Sequence, residues 1–312
     1  MKGIELSKLY FETYGVNMLQ EFPEIQQFLC AGLIGSGSEC LGFDDDVSCD
    51  HDFEPGFGIY IPGEDIVDRK TAFRMERAYA TLPSEFEGYN RNRLSPVGGS
   101  RVGIIRIPEL LEEKTGTPDG NLSLEEWLTI SDQFLLEITN GCLFMDNYKQ
   151  MTEIREKLAF YPEDVRKKRL AGHLLLMAQS GQYNYQRCLK HGEQAAAQLS
   201  VFEFVNHGMS AVFLLNRCYK PYYKWSFRTM RELNKLSVLA ETFEYLITTS
   251  NDSEFIETKY DLIEDAAASI IDELQNQGIT KAICGDLEKH AYSVNDCIEN
   301  STVRNLNVLT CV

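Results

Sequence analysis

Residues 35–57, GSGSECLGFDDDVSCDHDFEPGF, gather the groups best suited to chemistry: Gly35 and Ser36, then Asp44, Asp45, Asp46, Asp50 and Asp52, with Glu39 and Glu54 among them. Like charges at this density repel, and a carboxylate withdrawn from water is costly unless a cation meets it. The stretch is therefore a metal site, a phosphate site that works with a metal, or a solvated acidic loop. Its internal order bears on the choice. A short apolar run, CAGLIG, ends at Gly35-Ser36; 13 residues follow; then Asp50-His51-Asp52 leads toward a second extended run, FGIYI. Glycine and serine at a strand end let the backbone turn tightly and bring N–H groups and a hydroxyl to a phosphate. In an extended chain, residues two apart share a side, so Asp50 and Asp52 face one spot and His51 faces away. Two hard carboxylates suit Mg²⁺, which keeps waters and phosphate oxygens as its other ligands. The expectation is a triphosphate cradle beside a magnesium-binding carboxylate pair.

Plainer uses compete for each residue. Asp44 and Asp45 could cap a helix or turn, or tune the site; Asp46 has the weaker case. Ser48 could cap locally, and His51 could be a core residue. An EF-hand is excluded: DHDFEPGFGIYI begins D-x-D-x-E, but its glycine falls at position 7 and position 12 is Ile61. GxSxG, HExxH, Walker A and GxGxxG patterns are absent. GLIGSGSECLG has the wrong glycine spacing for a dinucleotide fingerprint. His173, His191 and His207 fall on expected helices without acids at ligand spacing, which reads as core or surface.

The chain has 312 residues and a formal charge of −17, from 47 acidic and 30 basic residues. That balance argues against general nucleic-acid binding, which needs a basic face, but not against a small anion delivered with a cation. Nine cysteines, an odd number with no CxxC pair, fit reduced thiols in a cytoplasm better than a disulfide frame or a zinc ribbon. Cys40 and Cys49 read as structural. No secretory pattern opens the sequence and no run of about 18 apolar residues occurs, so neither export nor a membrane partner is expected.

The elements that must position these groups fall into two textures. CAGLIG, FGIYI and RVGIIRI read as strands, the last ending at Pro108, and residues 64–81 read as helix. Residues 5–29 read as helix interrupted near Gly15 and Pro23. TGTPDGNLSLEEW is the boundary. Beyond residue 121 the pattern is helical throughout, over 147–159, 163–180, 185–217, 221–248, 253–277 and 285–300, with no strand signal. The fold class is α+β: a small mixed-sheet domain over 1–120 followed by an all-α helical bundle over 121–312.

The order Gly-Ser, a spacer of about a dozen, then Asp-x-Asp resembles the nucleotidyltransferase superfamily of the polymerase-beta-like fold. The longer run GSGSECLGFDDDVSCDHDF is similar to an uncharacterised bacterial branch of it with a helical C-terminal half, as is NRCYKPYYKW at 216–225. The resemblance implies a Mg²⁺-dependent transfer of a nucleoside monophosphate from a nucleoside triphosphate, ATP being the expected one, to a small-molecule or protein acceptor. It implies that Gly35, Ser36 and Ser38 hold the triphosphate and that Asp50 and Asp52 hold the metal and form the catalytic pair, with Asp44 and Asp45 beside them. Arg217, Lys220 and Lys224 concentrate positive charge in an acidic chain; Lys224 is the expected phosphate partner, with Arg155 a weaker candidate. One departure is visible: the family carries a third carboxylate on a later strand, and RVGIIRI has no acid, though Glu109 follows it. Two other readings follow from that gap. One is a degenerate nucleotide-binding or regulatory protein; the other is a metal-dependent enzyme whose cleft takes a non-nucleotide substrate.

Overall fold

The structure, a computed structural model, describes residues 1–45, 54–91 and 101–312. Asp46, Ser48, Cys49, Asp50, His51 and Asp52 lie outside the described residues. The chain divides into two compact units, one of residues 1–122 with 134–159, the other of residues 123–133 with 160–312.

The first unit opens with α1 (Gly3–Tyr10), which passes through a π-helical turn, Phe11–Gly15, into α2 (Val16–Leu19). After β1 (Cys30–Leu33) and β2 (Gly58–Ile61) comes α3 (Arg69–Ala80), started by Asp68, whose side chain accepts from Thr71 N at 2.7 Å. A small hairpin, β3 (Glu85–Phe86) and β4 (Tyr89–Asn90), precedes β5 (Gly103–Arg106). Proline in the first turn suits α4 (Ile107–Thr115), because that N–H has no helical partner in any case. The chain then supplies α5 (Leu124–Thr129) to the second unit, begun by a reciprocal Ser123–Glu126 capping box. The division falls within α6 (Asp132–Thr139), and the first unit closes with β6 (Cys142–Asp146) and α7 (Gln150–Lys157).

Four strands form one mixed sheet in the order β5-β2-β1-β6. β1 is antiparallel to β2 and β6, and β2 is parallel to β5. Alternation sorts the side chains. Ile59 and Ile61 of β2 enter an aromatic core with Tyr10, Phe11, Met75 and Tyr79, while Tyr60 goes to the opposite face. Phe57 is the hub of that core, with ring centroids 5.1 Å from Phe11 and 5.2 Å from Tyr79. The strand β6 corrects the expectation of an all-helical chain beyond 121. Its CLFMD run is short, and its residues are partly exposed edge positions that carry no clean alternation.

The second unit is helical. α8 (Glu163–Met177) continues through a π-helical stretch, Ala178–Asn184, into α9 (Tyr185–Lys190). Then follow α10 (Gln194–Leu215), α11 (Tyr223–Arg231), α12 (Leu239–Thr248), α13 (Ile256–Asn276), α14 (Leu287–Asp296) and α15 (Ser301–Asn305). The expected helices over 185–217 and 221–248 are each broken once, at His191–Gly192 and around Leu236, where φ turns positive at Gly192 (76°) and Leu236 (59°). Buried cations are matched by acceptors, as their desolvation requires. Arg166 donates to Glu163 Oε1 at 2.6 Å and Gln277 Oε1 at 3.1 Å. Lys168 donates to Asn295 Oδ1 at 2.8 Å and the Leu306 carbonyl at 2.7 Å, tying the last turns to α8. Lys259 donates to Asn251 Oδ1 at 2.8 Å and the Thr249 carbonyl at 2.9 Å.

Asp132, at the start of α6, gathers a second set: Tyr161 Oη at 2.6 Å, Arg169 at 2.9 Å and Lys220 N at 3.2 Å. Nearby, His173 Nδ1 and His207 Nδ1 lie 2.9 Å apart, so one ring donates and the other must accept as neutral imidazole. Burial, then the charges of His207, Lys220 and Arg169, push the His173 pKa well below its usual value. Burial also lowers that of His207, although Glu203 opposes it. The unfolded chain takes up these protons near pH ~6.5 and the folded chain resists them, so their contribution is present above that pH and lost as pH falls below it. The thermal midpoint should therefore drop between pH 7.5 and 5.5, and His173→Leu should flatten that drop; an unchanged slope in the variant would refute the assignment.

Candidate functional site

The turn after β1 is set from across the sheet. Gly35, at φ 114°, donates its N–H to Asn140 Oδ1 at 3.0 Å, and Asn140 Nδ2 returns a bond to the Gly35 carbonyl at 2.8 Å. One side-chain amide thus fixes both polar groups of the glycine. Gly141 makes the approach possible: it sits at φ 63°, donates to the Cys40 carbonyl at 3.0 Å, and a Cβ there would strike the Leu33 carbonyl. Arg155 supports the arrangement from behind, donating to the carbonyls of Thr139 and Asn140, both at 2.7 Å, at the α6 C-terminus where helical partners run out. Its guanidinium is therefore engaged with backbone, a different use from the phosphate contact considered for it.

The loop continues through Ser38, whose carbonyl accepts from Leu41 N at 3.1 Å and Phe43 N at 2.8 Å, with its own residue opening a short 3₁₀ turn, Glu39–Leu41. Ser36 is exposed. Asp44 is 5% exposed and caps α1 from outside: Gly3 N donates to its Oδ2 at 2.7 Å, and Lys2 Nζ lies 3.5 Å from its Oδ1. Of the two uses open to Asp44 in the sequence, capping is the one its contacts with Gly3 and Lys2 serve. Asp45 is exposed. The metal pair, Asp50 and Asp52, lies outside the described residues, as do Ser48 and His51. Where description resumes, Ser7 Oγ of α1 donates to the Gly56 carbonyl at 2.6 Å. Tyr79 Oη accepts from Phe57 N at 3.1 Å and donates to its carbonyl at 2.9 Å. α1 therefore holds the chain on both sides of residues 46–53. Among the described residues, no group of three or more His, Cys, Asp or Glu is placed to hold a metal.

Gly35 and Ser36 line a cleft of about 60 Å³ with Tyr60, Arg101, Ile105, Lys114 and Glu137. Tyr60 and Ile105 are register partners across β2 and β5, so β5 brings an apolar residue to the cleft and no acid. Glu109, the acid considered as a replacement, has a side chain 77% exposed and reaches Arg106 at 4.0 Å; it does not line the cleft. The carboxylates that do are Glu113 and Glu137, both paired with Lys114, at 3.1 and 2.9 Å. Burial pulls the Lys114 pKa down, but hydrogen bonds and charge from Glu137 and Glu113 outweigh it and the net direction is upward. Arg101 pairs with the buried Glu39. Cys40 is buried and its thiol is pushed up to about 12, chiefly by burial, which removes it as a nucleophile at neutral pH.

Lys224 belongs to the second unit. It is exposed on α11, with its ammonium 4.9 Å from the Trp225 ring centroid. Its neighbours in sequence are engaged there: Arg217 pairs with Glu163 at 2.6 Å, and Lys220 donates to Ser210 Oγ at 2.7 Å. Sequence reasoning missed Asn140, Tyr60, Lys114 and Glu137. Asn140-Gly141 carries a readable turn signal after a helix. Glu137 sits between buried Leu135 and Ile138, a charge on an apolar helix face that asks for a partner.

A family model described as a domain of unknown function (DUF4037) matches residues 127–226. That stretch includes 216–225, and the Gly35–Asp52 motif falls before it. No curated protein matches the chain. Among solved structures, a nucleotidyltransferase-like protein from Exiguobacterium sibiricum 255-15 is similar at 13% identity and a TM-score of 0.38, over 94% of this chain and 81% of that one.

Removing the Asn140 amide leaves both Gly35 groups without their partner. Asn140→Ala should lower stability by about 1–3 kcal/mol, the usual worth of two hydrogen bonds, while Asn140→Asp keeps the acceptor for Gly35 N and should lose less. Urea denaturation of the three proteins checks the ranking, and equal midpoints would overturn it.

Proposed function

We propose that the chain is a Mg²⁺-dependent nucleotidyltransferase-like protein that moves a nucleoside monophosphate from a nucleoside triphosphate, ATP by expectation, to a small-molecule or protein acceptor. The observation that carries the reading is the Gly35–Ser36 turn. It lies at the end of a central strand, is fixed on both backbone groups by Asn140, and is followed in sequence by the Asp50-x-Asp52 pair ahead of the antiparallel neighbour strand. A phosphate-holding turn and a metal-holding pair on one connection are what this transfer needs, because it depends on positioning and on neutralising developing charge.

In this reading Gly35, Ser36 and Ser38 hold the triphosphate, and Asp50 and Asp52 hold Mg²⁺, which neutralises phosphate charge when bound. Asp44 ties the loop to α1 and Asp45 stands beside the phosphates. An acceptor oxygen bonds to the α-phosphorus, the α–β bridging bond breaks, pyrophosphate leaves, and the acceptor proton passes to solvent. A second reading, a nucleotide binder without transfer activity, is favoured by Ile105 standing in the cleft where β5 brings no acid.

Calorimetric titration of the four nucleoside triphosphates, with and without Mg²⁺, tests the reading. Wild type should bind at least one in a Mg²⁺-dependent way, and the Asp50→Asn, Asp52→Asn double variant should lose that dependence. A folded wild type that binds none of the four would sink it.

A further inference from the structure

Among the described residues, two buried side-chain atoms have no hydrogen-bond partner, Asp44 Oδ1 and Tyr60 Oη. The first still lies 3.5 Å from the Lys2 ammonium; the second has no ion pair and no acceptor for its proton, with the Ile34 backbone beside it. A buried hydroxyl without a partner is destabilising, and folded proteins leave few of them. Tyr60 is nevertheless held firmly in place. It folds back over Gly58, where a Cβ would meet its oxygen at 2.7 Å, and it pairs in register with Ile105. The ring packs into the sheet, and Tyr60 is one of the residues lining the cleft at the Gly35–Ser36 turn, its hydroxyl oxygen itself buried.

The cleft, at about 60 Å³, is roughly twice the ~30 Å³ that water occupies per molecule in the liquid. It has room for a group of a few heavy atoms. The groups facing it have protons to give. Burial pushes the Tyr60 pKa upward, so the hydroxyl stays a donor at neutral pH. An ammonium has three protons, and Lys114 directs two toward Glu137 and Glu113. Glu113 is 64% exposed on its side chain, so its arm of the pair is the one an incoming anion can replace at little cost. The two carboxylates are already matched to Lys114, whereas the tyrosine has no acceptor at all.

We infer that this cleft is an oxyanion subsite, in which the Tyr60 hydroxyl and the Lys114 ammonium hold one phosphate group of a ligand lying over the Gly35–Ser36 turn. The inference rests on the nucleotide reading for the identity of the whole ligand, but not for the subsite itself. The phosphate could belong to a nucleoside triphosphate or to a separate phosphorylated compound, and the probes separate these.

The test is calorimetry with inorganic phosphate, inorganic tripolyphosphate and ATP, each with Mg²⁺, on wild type, Tyr60→Phe and Lys114→Gln, alongside thermal melts. Tyr60→Phe removes the unpartnered hydroxyl, so it should melt at or above the wild-type temperature yet bind tripolyphosphate about tenfold more weakly, as expected for a lost hydrogen bond to a charged group. Lys114→Gln keeps donors for Glu137 and should weaken binding at least about fivefold. Tripolyphosphate binding weakened by Tyr60→Phe but indifferent to the nucleoside and to the Asp50/Asp52 double variant would keep the subsite and remove the nucleotide reading. Mg²⁺-dependent ATP binding that the double variant loses but Tyr60→Phe leaves intact would do the reverse. No binding of any probe by wild type, or equal binding by wild type and Tyr60→Phe, would overturn the inference.

Discussion

The first unit depends on a reciprocal pair of hydrogen bonds between one side chain and one glycine. Asn140 and Gly35 are 105 positions apart, and their two bonds decide where the chain leaves β1. Everything that makes the turn usable follows from that contact. Gly141 admits the close approach to Leu33, Arg155 holds the carbonyls behind Asn140, and β6 continues directly from the same corner to pair with β1. The tightness of a Gly-Ser turn is a property of local backbone, but its placement here is a tertiary property that a distant amide enforces.

Charge is handled by local matching. The chain carries −17 overall, yet its buried acids sit beside cations: Glu39 with Arg101, Glu137 with Lys114, Asp44 with Lys2. Such pairs contribute little net stability once desolvation is counted, and breaking one partner costs more than the pair gains. Their value is in fixing geometry. Arg101 and Lys114 stand at the cleft with their orientations set by these carboxylates.

How much was legible in the sequence varies by element. CAGLIG, FGIYI and RVGIIRI announced β1, β2 and β5 because each is a short, mainly apolar run stopped by glycine or proline. The helical half was legible from periodicity, and Gly192 carries a helix-ending glycine signal, but the break at Leu236 is hidden because leucine is a good helix former and its positive φ leaves no trace. β6 was hidden inside a helical texture because a short edge strand needs no alternating pattern. In the acidic loop, Gly35 and Ser36 were readable by type. Asp44 was readable only as ambiguous, because an aspartate suits a helix terminus as well as a metal or phosphate site, and its contact with Gly3 comes from a helix 41 positions away. Asn140, Tyr60 and Lys114 were not readable at all as site residues. An asparagine before a glycine, a tyrosine in a strand and a lysine late in a helix are ordinary locally, and only the sheet brings them to one place.

The first unit is discontinuous, and that has a consequence for synthesis. β1 emerges early, but its neighbour β6 and the amide that fixes its turn come about a hundred residues later. At ~5–20 residues per second of translation, the outer edge of β1 waits roughly 5–20 s for its partner while α5 and most of α6 are still being made. A strand edge without its neighbour is a template for pairing with other chains. The four residues of β1 include a glycine and one register irregularity, so the waiting edge is short and uneven. The ribosome thus delivers the turn before its lock, and the brevity of β1 is what makes that order of arrival tolerable.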